Sequence, residues 1–274
     1  MKSVLITGAT GFIGKHVLTE MLKQDVNIFS VERSSKNGIN IDSRINIIES
    51  DDLFSESIEW WEQKCTKIDI VLQLAWFTKS RDYLNSYKNI DCLTGSLNLA
   101  RGAISAGVQR FVGIGTCIEY DLTHRTLTVE TPLKPNSLYA ATKAGLFLNL
   151  TELFQLNSIS FAWCRIFNVY GDSEDKNRLI PFLKSKFKLD QQVNLPAGEQ
   201  VRDFIDVVEV AKIISKVALS TKAGPLNVCS GVPKSIKEMA LQVADQYQKR
   251  HLIQVTREKG ELDSYSYIVG VPNY

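Results

Sequence analysis

Two ionisable side chains stand four residues apart in Ser137-Leu138-Tyr139-Ala140-Ala141-Thr142-Lys143. The apolar spacing predicts a helix over residues 137–156, so Tyr139 and Lys143 share one of its faces. A free phenol titrates at about 10 and is a poor acid or base at neutrality. A neighbouring ammonium favours the phenolate, and a phenol tuned in this way exchanges a proton with a sugar or alcohol oxygen. Thr116 adds a third group, just beyond a predicted strand at 110–114 in Val112-Gly113-Ile114-Gly115-Thr116. Its hydroxyl can hydrogen-bond a reacting carbonyl and turn it toward Tyr139. Taken singly, Tyr-x-x-x-Lys is common on helices and a loop Thr often only caps a turn. The three together at the carboxyl ends of strands point to proton transfer coupled to a carbonyl.

The elements that position them begin at the N-terminus. Val4-Leu5-Ile6 reads as a buried parallel strand, Thr7-Gly8-Ala9-Thr10-Gly11 as a turn, and Phe12, Ile13, Val17, Leu18, Met21 and Leu22 as the apolar face of a helix. Strand, glycine turn and helix open a dinucleotide-binding βαβ unit, in which the pyrophosphate meets the free N–H groups of the helix start. Gly8-x-x-Gly11-x-x-Gly14 is one residue longer between its first two glycines than the common fingerprint. An ordinary strand-to-helix turn is the competing reading. The predicted cofactor contacts here are Gly8, Thr10, Gly11, Phe12, Ile13 and Gly14. Lys143 could reach the cofactor's ribose, and a positively charged nicotinamide would lower the Tyr139 pKa further. The second strand, 26–31, runs into Glu32 and then Arg33-Ser34-Ser35-Lys36. Glu32 suits the 2′-hydroxyl of NAD, whereas Arg33 and Ser34 suit the 2′-phosphate of NADP. NADP or NAD is therefore expected, with a slight lean to NADP.

Strand and helix patterns alternate through 166, with strands at 45–48, 68–74, 110–114 and 161–166 and a long helix at 86–106. The fold class expected is α/β: a Rossmann-type doubly wound parallel sheet with a smaller C-terminal lobe. The boundaries are 1–170 for the nucleotide-binding part and 171–274 for the lobe, with residues 201–220 returning to pack on the sheet. A net charge of +2 gives no footprint for nucleic acid or an anionic membrane. The five cysteines are scattered without ligand spacing, which predicts a reduced cytoplasmic protein without a metal. No signal peptide or membrane span is read in the chain.

On these residues the chain resembles the extended short-chain dehydrogenase/reductases, the group of NAD(P)-dependent nucleotide-sugar epimerases, dehydratases and reductases. Thr7-Gly8-Ala9-Thr10-Gly11-Phe12-Ile13-Gly14 is similar to the family's cofactor loop. Gln73-Leu74-Ala75-Trp76 stands where the family has His-Leu-Ala-Ala beside the cofactor, and Asn89 matches an Asn on the next helix. Asp51-Asp52 resembles the acidic position that contacts adenine. Thr116, Tyr139 and Lys143 match the catalytic set. Arg165-Ile166-Phe167-Asn168-Val169-Tyr170-Gly171 resembles the substrate-side signature, and Val201-Arg202-Asp203-Phe204-Ile205 a segment whose Arg binds the substrate diphosphate. The resemblance thus implies cofactor contacts from Asp51, Asp52, Leu74, Ala75, Trp76, Asn89, Tyr139 and Lys143. It implies substrate contacts from Thr116, Cys117, Asn168 and Arg202. Asn227-Val228 and Gly231 match a further family turn, and Tyr267-Ile268-Val269-Gly270 the approach to its closing segment, although the chain ends sooner than most relatives.

Departures from the pattern narrow the activity. The 4,6-dehydratases carry an Asp-Glu pair after the catalytic Thr, where this chain has Cys117 and Ile118, so water elimination is not expected. Cys117 is also the candidate thiol of a 3,5-epimerising pair, but a small buried residue is the simpler reading. The context Ile114-Gly115-Thr116-Cys117-Ile118-Glu119-Tyr120-Asp121 looks most like reductases of nucleotide-activated 4-keto-6-deoxyhexoses, which supply deoxysugars for surface polysaccharide. A 4-epimerase is the alternative, followed by a cofactor-binding regulatory protein without turnover. A homodimer paired through the helices at 86–106 and 137–156 is expected from the resemblance.

Overall fold

Val4, Leu5 and Ile6 are wholly buried, yet they do not face the same way. Val4 and Ile6 join one apolar cluster and Leu5 the other, as a strand covered on both faces requires. The computed structural model describes residues 1–33, 42–78, 82–196, 198–256 and 266–274. The strands and helices run β1 (Lys2–Thr7), α1 (Phe12–Met21), β2 (Val26–Glu32), β3 (Ile45–Glu49), α2 (Ile58–Cys65), β4 (Ile70–Gln73), α3 (Lys88–Ser105), β5 (Arg110–Thr116), β6 (Thr126–Leu127), α4 (Leu138–Leu156), β7 (Ser160–Ile166) and β8 (Asn168–Tyr170). They continue with α5 (Leu179–Lys188), β9 (Val193–Pro196), β10 (Val201–Asp206), α6 (Val207–Leu219), β11 (Gly224–Val228), β12 (Pro233–Ser235), α7 (Ile236–Gln246), β13 (Ile253–Thr256) and β14 (Tyr267–Gly270).

Seven strands form one parallel sheet in the order β11-β7-β5-β4-β1-β2-β3. Helices α1 and α6 cover the face toward which Val4 and Ile6 point; α2, α3 and α4 cover the other. This is the expected doubly wound fold. The order reverses between β1 and β4, and ligands of such sheets lie beyond the carboxyl ends of the strands at that point. Arg110 locks α6 onto the sheet. It is 6% exposed, and its guanidinium donates to the carbonyls of Val217, Ala218 and Lys222, satisfying the end of the helix.

Two elements differ from the sequence reading. Strand β5 continues to Thr116, so Thr116 ends the strand rather than following it. Strand β11 pairs with β7 as a seventh member of the sheet, where the sequence reading took Asn227-Val228 as part of a turn. Its Gly224 and Pro225 disguise it, and both are tolerated because β11 lies at the edge.

The strands β12, β10, β14 and β6 form a second sheet with β8 attached to β10, β6 joining it from the chain before β7. Helices α5 and α7 pack with β9 and β13 around a third cluster that includes Leu183, Phe187 and Met239. Asp203 ties the second sheet together from a fully buried position. Its carboxylate accepts from the N–H groups of Ser230, Gly231 and Gly270 and from the Ser230 hydroxyl. Among the described residues, no helix is long and apolar enough to cross a membrane.

Candidate active site

The turn between β1 and α1 is built for close approach. Gly8 has φ of 77°, and its carbonyl accepts the Gly11 N–H at 3.0 Å. A Cβ on Gly8 would lie 2.7 Å from the Ala75 nitrogen, and one on Gly14 only 1.9 Å from the Gly8 oxygen. Both positions therefore demand glycine. Gly11 caps α1 in extended conformation with no side chain bonded to the first turn, and Thr10 and Gly11 are exposed. Phe12 and Ile13 are half-buried and Gly14 is buried. Free amides at a glycine-lined helix start fit a pyrophosphate, so the residues present suit a dinucleotide.

The other expected cofactor contacts lie at or after the ends of β2, β3 and β4. Glu32 ends β2, half-buried, and accepts the Ser30 hydroxyl at 2.7 Å. Arg33 beside it is exposed, while Ser34 and the residues after it to 41 lie outside the described residues. Asp51 and Asp52 are exposed after β3, and Asp52 accepts the Phe54 N–H at 3.1 Å. Leu74 and Ala75 leave β4 with their N–H groups held by the Thr7 carbonyl and hydroxyl.

Ser137 caps α4 by accepting the Ala140 N–H, which sets Tyr139 and Lys143 in the first two turns. Both are buried, at 8% and 4% exposure. The Lys143 ammonium donates to the Ile114 carbonyl at 2.6 Å and sits 3.7 Å from the centre of the Trp76 ring. Burial lowers its pKa to about 7, against which the Glu119 carboxylate works. Tyr139 is flanked edge-on by Trp76 and Tyr83, at ring separations of 6.4 and 5.1 Å. The expected lowering of its phenol is not what this cluster produces. Burial, followed by Tyr83, Glu119 and Cys117, pushes the phenol well above its ordinary range, opposed by its hydrogen bond with Thr116. Tyr139 is therefore a neutral acid, with its proton on, beside the Thr116 hydroxyl.

The assignment of Asn89 also needs correction. Asn89 is fully buried and its amide is spent inside the protein: it donates to the carbonyls of Tyr83 and Ser86 and accepts the Trp76 indole N–H at 2.9 Å. It fixes Trp76 rather than presenting itself to a ligand. Cys117 packs with Tyr120, Leu127, Phe167 and Ile268, and burial pushes its thiol up to about 12. It serves the core, and the role of a thiol acid does not suit a group so buried. Asn168 is half-buried and donates to the Asp203 carbonyl at 3.3 Å. Arg202 is 5% exposed, donates to the Val201 carbonyl and acts electrostatically on Cys117, which brings it to the turn after β5.

The sequence reading passed over Glu119. It follows Cys117 and Ile118, one place beyond the positions where an eliminating acid pair would stand. The structure commits it to an ion pair with Arg165 at 2.6 Å, so it cannot act as that acid. The signal available in the sequence was an acidic residue after an apolar strand, matched by an Arg in the apolar β7.

The sequence profile of the NAD dependent epimerase/dehydratase family matches residues 4–229. This chain belongs to that family. Within the epimerase/dehydratase family it is 24% identical over 242 residues to dTDP-6-deoxy-L-talose 4-dehydrogenase (NAD(+)) of Aggregatibacter actinomycetemcomitans, covering 86% of this chain and 87% of that protein. It is 26% identical over 272 residues to UDP-glucose 4-epimerase of Bacillus subtilis, covering 86% and 80%. In structure it is similar to UDP-N-acetylglucosamine 4-epimerase from Methanobrevibacter ruminantium, with a TM-score of 0.87 at 23% identity over 99% of this chain and 89% of that one. The Thermus thermophilus UDP-glucose 4-epimerase complex with NAD gives 0.83 at 22% identity, over 98% and 90%. The family match makes this an enzyme of the extended short-chain dehydrogenase/reductase group, and the likenesses in structure bear out the Rossmann-type sheet.

Proposed function

We propose that this epimerase/dehydratase-family enzyme is an NAD(H)-dependent reductase of a nucleotide-activated 4-keto-6-deoxyhexose. The observation that carries the reading is Tyr139, buried beside the Thr116 hydroxyl with its phenol pushed up, together with the buried Cys117 and the half-buried Ile118 where elimination would need an acid pair. Reduction of a carbonyl calls for a proton donor at the oxygen, which is the form Tyr139 holds. Thr116 holds the C4 carbonyl oxygen, and Tyr139 delivers its proton to the oxygen as the alcohol forms. Lys143 brings positive charge to the same place and reaches for the cofactor ribose. Bound nicotinamide cofactor supplies the hydride that goes to C4. Arg202, which acts on Cys117 in the turn after β5, and Asn168, held on the Asp203 carbonyl, grip the nucleotide diphosphate. The named 4-dehydrogenase relative, whose reaction reversed is a C4 reduction, supports this reading.

The test is a nicotinamide absorbance assay with each reduced cofactor and a panel of nucleotide 4-keto-6-deoxysugars. Consumption of reduced cofactor in step with alcohol formed is the expected result. Interconversion of sugar isomers without net consumption would instead give the site to a 4-epimerase, the reading favoured by the UDP-glucose 4-epimerase relative.

The choice of NAD(H), against the lean to NADP, rests on Glu32, whose carboxylate ends β2 where a 2′-phosphate would meet its charge. Hydrogen bonds to a charged group contribute about 1.5–3 kcal/mol, so NADH should be preferred over NADPH by roughly tenfold to a hundredfold in kcat/KM. Glu32→Ser should close most of that gap, and a wild-type preference for NADPH would overturn the assignment.

The homodimer remains our proposal as well. Ile90 on α3 and Leu148 on α4 are 43% and 55% exposed, apolar surface on the two helices named for the contact. Light scattering at working concentration should give twice the chain mass; a monomer would end the idea.

A further inference from the structure

Glu119 and Arg165 are both buried, at 0% and 1% exposure. One Glu119 oxygen accepts the Thr116 N–H at 2.7 Å, and the other accepts the Arg165 Nε–H at 2.6 Å. The Trp163 indole N–H is shared between the two oxygens at 3.2 and 3.1 Å. Arg165 continues the chain: its Nη1 donates to the Tyr120 hydroxyl at 3.0 Å, which donates in turn to the Asn227 side-chain oxygen at 2.7 Å. The guanidinium lies 4.6 Å from the Tyr120 ring centre and 4.5 Å from that of Phe147.

The strand beside this cluster is cut to admit it. A Cβ on Gly115 would lie 2.2 Å from the Trp163 indole nitrogen and 2.5 Å from a Glu119 oxygen, and one on Gly113 would strike the Trp163 ring at 2.5 Å. Two glycines are thus given up to seat a carboxylate and an indole at the end of β5. A buried ion pair adds little net stability over an apolar replacement. Its consequence falls on what it touches, namely the backbone of Thr116 and the charges of the site. The groups that face Glu119 are Arg165 on β7, Cys117 and Tyr120 on its own turn, and Tyr139 and Lys143 on α4. Cys92 on α3 is the further group acting on Lys143.

We propose that Glu119 is a positioning residue for this site: it fixes Thr116 through the backbone amide and is the buried counter-charge to the Lys143 ammonium. Arg165 balances the carboxylate, and Trp163 aims it. The inference rests on the reading of Thr116, Tyr139 and Lys143 as the reacting groups, but its test does not require turnover.

The experiment is a pH titration of full-length protein labelled with 13C,15N-lysine, the Lys143 signal being assigned by its loss in Lys143→Met. Glu119→Gln keeps an acceptor for the Thr116 N–H and removes the charge. The Lys143 midpoint should then fall by about 1 on the pH scale. In the reduction assay kcat should drop roughly tenfold with little change in KM. The descending alkaline limb of the kcat profile should move to lower pH, because Lys143 and Tyr139 both lose their protons more easily without the nearby anion. The double variant Glu119→Gln/Arg165→Met leaves no unpaired buried charge and covers the case in which the single variant folds poorly. Its midpoint should lie between those of wild type and Glu119→Gln, since removing Arg165 also removes a buried cation that repels the Lys143 ammonium. An unchanged Lys143 midpoint in Glu119→Gln, or a midpoint restored fully to wild type in the double variant, would overturn the proposal. Because no substrate is present, either result stands whether or not the 4-keto sugar is the right one.

Discussion

Tyr139→Phe should lower kcat for reduction by about 10³-fold, within the 10²–10⁴ that a positioned general acid contributes, while the protein folds normally and binds its cofactor as before. The substitution removes one oxygen and leaves the ring between Trp76 and Tyr83, whose edge-on contacts hold it in place. The phenol gains nothing from ionisation in this position: burial and the negative groups around it push its pKa up, so it enters the reaction with its proton attached. Thr116 can still hold the carbonyl in the variant, but the phenol that gives the proton is gone. KM for the sugar should therefore change far less than kcat, the mark of an interaction made in the transition state alone. Cofactor affinity, read by quenching of tryptophan fluorescence, should stay within about twofold of wild type. Normal turnover of the true substrate by this variant would remove Tyr139 from the mechanism.

What the sequence disclosed about the site follows from how local each signal is. The glycine turn is local: three glycines, one strand and one helix within 21 residues carry the whole argument, and the structure returns the close approaches that only glycine permits at Gly8 and Gly14. Tyr139 and Lys143 were equally legible, being held by helical spacing behind a Ser137 cap. Contacts between distant segments were not. Asn89 reads as a cofactor ligand by position, yet its amide is consumed by the Tyr83 and Ser86 carbonyls and the Trp76 indole, partners no periodicity announces. Glu119 and Arg165 are 46 residues apart and meet only because β5 and β7 pair in register, with Gly115 opposite Arg165. Strand β11 escaped for another reason: five residues opening with Gly-Pro look like a turn until a sheet edge is there to accept them. The sign of the Tyr139 shift was missed because spacing gives neighbours, whereas burial, the dominant cause here, is a property of the assembled core.

Lys143→Met should have the other large effect, and it is visible in stability as well as in rate. In the folded protein the ammonium titrates at about 7, against an ordinary value of 10.5. Below about 7 both folded and unfolded chains hold the proton, and the folded state bears the whole desolvation penalty of a buried cation. Between about 7 and 10.5 the unfolded chain still holds the proton that the folded chain has released, so folding stability rises with pH across that window. Tyr139 acts in the opposite sense above about 10: its raised pKa means the unfolded chain ionises first, and stability falls again. Methionine places a similar unbranched stem against the Trp76 ring and carries no charge. The melting temperature of the cofactor-free variant, relative to wild type, should therefore be highest near pH 6 and decline by roughly 5 °C on going to pH 9.5. A difference independent of pH would mean that Lys143 is solvated in the folded protein. Activity should move the other way, with kcat/KM falling by at least about 10²-fold at and below about pH 7, where Lys143 holds its charge, because the variant loses that cation beside the reacting oxygen and its proposed reach to the cofactor ribose. A destabilising side chain kept at the centre of the site, and indispensable to the rate, is what a functional ammonium predicts; a structural lysine would lose stability and spare the rate.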